Sequence, residues 1–218
     1  MRVWPFGRKK DAEPREPEPE EETGDGLVDF LDWGVRLGTM GKPERAVEQF
    51  KRALAQDPEN AAAHYNLALA LDQSGRFDEA VGHYQRASEL APDSADITAS
   101  YGAALITMGR CEEAVDLLTA ATAANKDDEA LHFNLGCAYM RQGRFKEAAN
   151  SFRSAVEADP KAPETRFNLA LALRKAGCAD LAENELRDFI ALAGERYADH
   201  SRYAQRLLDT EYRDEEIA

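Results

Sequence analysis

The feature that most restricts this chain is an internal repeat. The segment AAAHYNLALALDQSGRFDEAVGHYQRA, beginning at Ala61, returns in modified form from Glu129 as EALHFNLGCAYMRQGRFKEAANSFRSA, 68 residues later. Half that distance, 34 residues, is the underlying period, and frames beginning at 27, 61, 95, 129 and 163 run through residues 27–196 without an insertion or deletion. A period of this length means stacked supersecondary units, each too small to bury its own apolar face and each completed by its neighbours.

Inside every frame the seventh residue is large (Trp33, Leu67, Tyr101, Leu135, Leu169), the eighth small (Gly34, Ala68, Gly102, Gly136, Ala170) and the eleventh large (Leu37, Leu71, Leu105, Tyr139, Leu173). Such spacing lays one apolar stripe along a helix. The fifteenth residue is glycine in all five frames (Gly41, Gly75, Gly109, Gly143, Gly177), which suits the left-handed residue that closes a helix. An acid follows (Glu44, Asp78, Glu112, Glu147, Asp180), where it complements the positive end of a second helix. That helix has its own stripe: alanine at the twentieth place (Ala46, Ala80, Ala114, Ala148, Ala182), a large residue at the twenty-fourth (Phe50, Tyr84, Leu118, Phe152, Leu186), and alanine at the twenty-seventh until Phe189. Small residues on both helices let their axes approach to roughly 8–10 Å. Pro58, Pro92 and Pro160 mark the junctions, with Lys126 and Gly194 in their stead in the third and fifth frames. Asn60, Ser94 and Asp128 stand where the next helix needs a cap, and Pro163 at a first-turn position.

This placement of large, small, glycine and proline residues resembles the tetratricopeptide repeat family. The resemblance implies an all-α, right-handed superhelical solenoid of antiparallel helix pairs, with units 27–60, 61–94, 95–128, 129–162 and 163–196. Residues 197–212 continue the pattern with Tyr203, Ala204 and Leu207 but with no second helix after them; they are read as a lone capping helix, followed by an acidic tail at 213–218.

The family's arrangement further implies that the first helices line a concave wall through their second, fifth, sixth, ninth, twelfth and thirteenth residues. Tyr65, Phe133 and Phe167 at the fifth place are then anchors for a partner's apolar side chains, or else ordinary packing between units. Asn66, Asn134 and Asn168 at the sixth form a row interrupted by Ser100, and Leu69 and Leu171 occupy the ninth. Amides offer donor and acceptor together, so the row can pair with the main chain of an extended peptide, much as the asparagine ladder does in the repeats of protein O-linked N-acetylglucosamine transferases; bonding to neighbouring turns of the scaffold is the alternative. Arg141 and Lys175, with Arg166 and Arg174 nearby, make the late part of the wall basic, which favours a partner with acids at one end unless the face is simply solvated. The clamp used by chaperone-binding relatives needs Lys at a fifth place and Asn at a ninth; both places are hydrophobic here, so that specialisation is excluded.

The formal net charge of −14 argues against nucleic acid as a partner. No apolar run approaches the ~20 residues of a membrane-spanning helix, and MRVWPFGRKK lacks the apolar core of a secretory signal, so the expectation is a cytoplasmic protein. Residues 1–26 are expected to be a disordered tether, acidic and proline-rich, whose Trp4 and Phe6 tip offers at most a weak membrane contact. Cys111, Cys137 and Cys178 form no closed disulfide framework and no CxxC. His64 and His132 lie two units apart, and His83 and His200 have no partner at ligand spacing; no metal, cofactor or catalytic constellation is read. The chain reads as a non-enzymatic scaffold or adaptor holding a protein or peptide in the concave groove. A targeting subunit for a separate enzyme such as a glycosyltransferase, and a membrane-surface organiser that self-associates, are its alternatives.

Overall fold

The computed structural model describes residues 30–215, with side chains described as far as Asp209. The described residues are helical throughout, without a strand. Five helix pairs follow in order: α1 (Phe30–Thr39) with α2 (Pro43–Gln56), α3 (Ala61–Gln73) with α4 (Phe77–Leu90), α5 (Ala95–Thr107) with α6 (Cys111–Ala124), α7 (Glu129–Arg141) with α8 (Phe145–Ala158), and α9 (Pro163–Lys175) with α10 (Ala179–Leu192). A short 3₁₀ turn then leads into α11 (Ala198–Glu215). The capping helix and the start of the acidic tail are thus one element, because nothing between Tyr212 and Glu215 breaks the helix.

Local chemistry sets the boundaries. The Asn60, Ser94 and Asp128 side chains accept from the backbone N–H three residues on, at 2.9, 3.4 and 2.9 Å, and Pro163 opens α9 without an N–H to satisfy. Each hairpin turns through its glycine at φ between +70° and +81°. Nothing lies within 4 Å of the position a Cβ would take at Gly143, so only backbone strain opposes a side chain there. Gly82 also faces open space, but inside α4 at ordinary helical φ. Opposite signs follow: Gly143→Ala is expected to cost about 1–2 kcal/mol, the price of a left-handed β-carbon, and Gly82→Ala to add about 1 kcal/mol of helix propensity. Urea titration of the two variants side by side checks both, and equal signs would refute the assignment of the turn.

The core is a seam running through the stack. Its deepest members are the twenty-fourth residues, Phe50, Tyr84, Leu118, Phe152 and Leu186, each no more than 2% exposed. A β-carbon at Gly34, Gly102 or Gly136 would come within 2.4–2.7 Å of Phe50, Leu118 or Phe152, so glycine at the eighth place is what lets a bulky twenty-fourth residue sit against the partner helix. Phe189 departs from the alanine of its row because its neighbour is a single helix: it fills the space beside α11 with Phe167 at 4.9 Å and Tyr197 at 6.2 Å between ring centres. Ala204, the eighth-place residue of the partial sixth frame, is fully buried there, whereas the seventh-place Tyr203 stays 44% exposed for want of a second helix to cover it.

Among the first helices, α1 meets α3 and, more closely, α5 meets α7; α3 with α5 and α7 with α9 make no comparable contact, and neither do consecutive second helices.

Candidate functional site

The wall expected from the repeat pattern starts with the sixth-place row. The Asn66 side-chain N–H donates to the Ala62 carbonyl at 2.8 Å, and that of Asn168 to Glu164 at 2.8 Å, each one turn back in its own helix. Asn134 instead reaches across to the Ala99 carbonyl of α5, at 2.9 Å. A backbone carbonyl only accepts, so these contacts orient all three amides with nitrogen on the scaffold and Oδ1 away from that bond. Ser100 takes part as well, its hydroxyl 3.2 Å from that of Tyr65. The middle of the wall is thereby tied from unit to unit.

The fifth-place aromatics divide. Tyr65 is half-buried, its ring 6.2 Å from Tyr84. Phe133 is 6% exposed and meets Phe152 edge-on at 5.6 Å; Phe167 is 9% exposed and is covered by Phe189, His200 and Tyr203. Both phenylalanines are structural members of the seam, and little of either ring is open to a guest. The cause is local: small Ala99, Ser100 and Ala103 let α7 lean on α5, and α11 closes over the far end. Leu69, Cys137 and Leu171 at the ninth place are half-buried. Burial pushes the Cys137 thiol up to about 11, which leaves it protonated and unreactive at neutral pH. Arg141 is exposed at the end of α7, and Lys175 is exposed with its ammonium 5.3 Å from the Phe145 ring centre. Arg166 does not join them: it turns to α10 and pairs with Glu185 at 2.9 Å and Asp188 at 3.4 Å.

One recurring contact has no trace in the sequence pattern. In the second, fourth and fifth units the fourth residue reaches back to a carbonyl of the preceding loop: His64 Nε2 lies 3.1 Å from Pro58 O, His132 Nε2 2.8 Å from Lys126 O, and Arg166 Nε 3.3 Å from Pro160 O, whereas Thr98 of the third unit bonds Ser94 O instead. Lysine supplies that carbonyl as well as proline does, which accounts for the tolerated Lys126. Across the hairpin the same side chain faces the twenty-third residue, His83 for His64 and Glu185 for Arg166. Among the described residues no group of three or more His, Cys, Asp or Glu side chains is arranged to hold a metal ion, and all three cysteines are free.

The model of the tetratricopeptide repeat family matches residues 31–95, 102–163 and 133–194, which is well over half the sequence. The chain belongs to the tetratricopeptide repeat family. No curated protein sequence matches it. Solved structures that it resembles include MamA from residue 41 onward of Desulfovibrio magneticus RS-1, at 22% identity over 78% of this chain and 95% of that one, with a TM-score of 0.68. YrrB, described as a tetratricopeptide repeat protein with an unusual peptide-binding site, shares 20% identity over 85% and 95% of the two chains, with a TM-score of 0.66. TTC0263, a thermophilic repeat protein in Thermus thermophilus, shares 25% over 82% and 97%, with a TM-score of 0.65. At such identities the likeness is one of fold. A tetratricopeptide array of this kind is in general a protein-interaction scaffold. Among the described residues no helix is long and apolar enough to cross a membrane. The Trp4 and Phe6 tip and the acidic segment at 1–26 lie outside the described residues.

Proposed function

We propose that this tetratricopeptide protein is a non-catalytic adaptor that holds an extended protein segment along the inner wall of its first helices. The observation that carries the reading is the fixed orientation of Asn66, Asn134 and Asn168: one N–H of each serves the scaffold, so the row keeps its Oδ1 acceptors for main-chain N–H groups of a guest and a second N–H for a main-chain carbonyl. Neighbouring units sit roughly 10 Å apart, about three residues of an extended chain at ~3.3 Å each, so one strand can meet the row once per unit. Tyr65, Leu69 and Leu171 add half-buried apolar surface, and Arg141 and Lys175 favour a guest that carries acids where it passes α7 and α9. A cytoplasmic setting agrees with three unpaired thiols.

The test uses a library of extended peptides screened against the full chain, with affinity read by fluorescence polarisation. Phe133 and Phe167 are unsuitable for mutation because both rings are buried in the seam, so their loss is expected to change stability along with binding. Arg141→Glu with Lys175→Glu is expected to weaken an acidic peptide at least tenfold and to leave a neutral one unchanged, and Tyr65→Ala to weaken both. If peptides bind and none of these wall substitutions alters affinity, the guest lies elsewhere and the reading fails.

A further inference from the structure

His64 on α3 and His83 on α4 face each other with Nδ1 atoms 3.0 Å apart. Their ring centres are 5.2 Å apart, which exceeds the nitrogen separation by about two ring radii, so the two nitrogens point head-on along one line. Lone pairs aimed at each other share a proton; they do not converge on a third point, as chelation of a metal ion requires. The tautomers follow from the loop. Pro58 O only accepts, so the proton of neutral His64 sits on Nε2 and its Nδ1 is bare. His83 must then supply Nδ1–H, and its own Nε2 is where a further proton lands first.

We propose that this pair is a one-proton latch, which makes the grip between the two helices of the second repeat dependent on pH. With no added proton, His83 donates to His64. With one, on His83 Nε2, the same bond persists and is charge-assisted. A second would have to enter on His64 Nδ1, against an N–H already pointing at it, and the bond is lost with two cations left face to face. The pair takes up its protons in two coupled steps, and only the second opens it. The surroundings do not relieve the second charge. Lys51 of α2 opposes it, Glu79 of α4 favours it but is held by Arg76 in a two-point bond of 2.6 and 2.7 Å, and Arg86 further along α4 is engaged with Glu59 of the loop at 3.3 Å. Burial, then the charge of a protonated His64 and that of Lys51, hold His83 below the ordinary imidazole range, so it is the doubly charged pair that the fold disfavours. The unfolded chain binds that second proton more readily, so stability is fully present above the unfolded imidazole value and is lost as pH falls below it. The rest of the array supplies the contrast: in the fifth repeat the same two places hold Arg166 and Glu185, an ion pair at 2.9 Å, and in the fourth His132 keeps its loop carbonyl while the twenty-third place is Ser151.

The experiment is a urea titration of the full chain at pH 7.5 and pH 5.5, with EDTA present, joined to long-range ¹⁵N–¹H imidazole spectra of the native protein. The expected result is that His64→Gln/His83→Gln removes a pH-dependent loss of the folding constant of up to about tenfold per pH unit. His83→Glu, which copies the fifth repeat, is expected to reverse the slope, and His132→Gln to leave it as in the wild type. The spectra are expected to show Nε2–H on His64 and Nδ1–H on His83 at pH 7.5. Opposite tautomers, or a slope unchanged in the double variant, would overturn the latch, and the spectra decide the matter even if a variant fails to fold.

Discussion

Phe152→Ala is expected to remove about 3–5 kcal/mol, and to do so by loosening one end of the molecule. The ring is fully buried on α8, edge-on to Phe133 and pressed against Gly136. Gly136 has no side chain that can move into the space, and Phe133 is held by the α5–α7 contact, so the cavity stays largely open. A stack of units is stabilised by its units and their interfaces in series. Hairpin α7–α8 is the link between α1–α6 and α9–α11, and weakening it uncouples the two. The urea transition monitored by circular dichroism is therefore expected to split, and native-state hydrogen exchange to lose protection in α7, α8 and α9 before α3 and α4. A single transition displaced by less than about 1 kcal/mol, or protection lost evenly, would show that the seam does not depend on this ring.

The same seam shows what a sequence reading can reach. Alternation of small and large residues at the eighth and twenty-fourth places is visible as text because sterics demand it in every unit: Gly34 with Phe50 and Gly136 with Phe152 repeat one packing solution. Helix caps are equally legible, since Asn60, Ser94 and Asp128 each act within three residues of themselves. The fifth place is different. Whether Tyr65, Phe133 or Phe167 faces a guest or the core depends on how far one hairpin rotates on the next, and that is set by Ala99, Ser100 and α11 more than by the residue itself. The fourth place is harder still. His64, His132 and Arg166 look unrelated, yet each bonds a loop carbonyl, and a carbonyl has no letter of its own. The meeting of His64 with His83, 19 residues apart, follows from hairpin geometry and from no motif spacing.

Ala204→Glu is expected to release α11 from the stack. Ala204 has no exposed surface and lies among Phe167, Ala170, Leu186 and Phe189, where a carboxylate finds neither water nor a hydrogen-bond donor of their side chains. An unpaired buried charge costs several kcal/mol, more than one amphipathic helix packed on a single face can return, so the chain escapes by detaching the helix. The consequences are measurable together: dye binding to the uncovered rings of Phe167 and Phe189, loss of far-ultraviolet signal on the scale of the 18-residue helix, and earlier unfolding of α9 and α10. Ala198→Glu provides the control, because Ala198 is exposed on the same helix and surface changes usually stay within about 0.5 kcal/mol. The pH response separates a charge effect from a size effect. Burial raises the folded-state pKa of the new carboxyl, so its penalty is full above that value and shrinks as pH falls through it toward the unfolded value. Partial redocking near pH 5 is thus expected for Ala204→Glu, whereas Ala204→Gln stays equally displaced at both pH values. If Ala204→Glu and Ala198→Glu behave alike, α11 is not closing the array, and the burial of Phe167 and Phe189 must come from elsewhere.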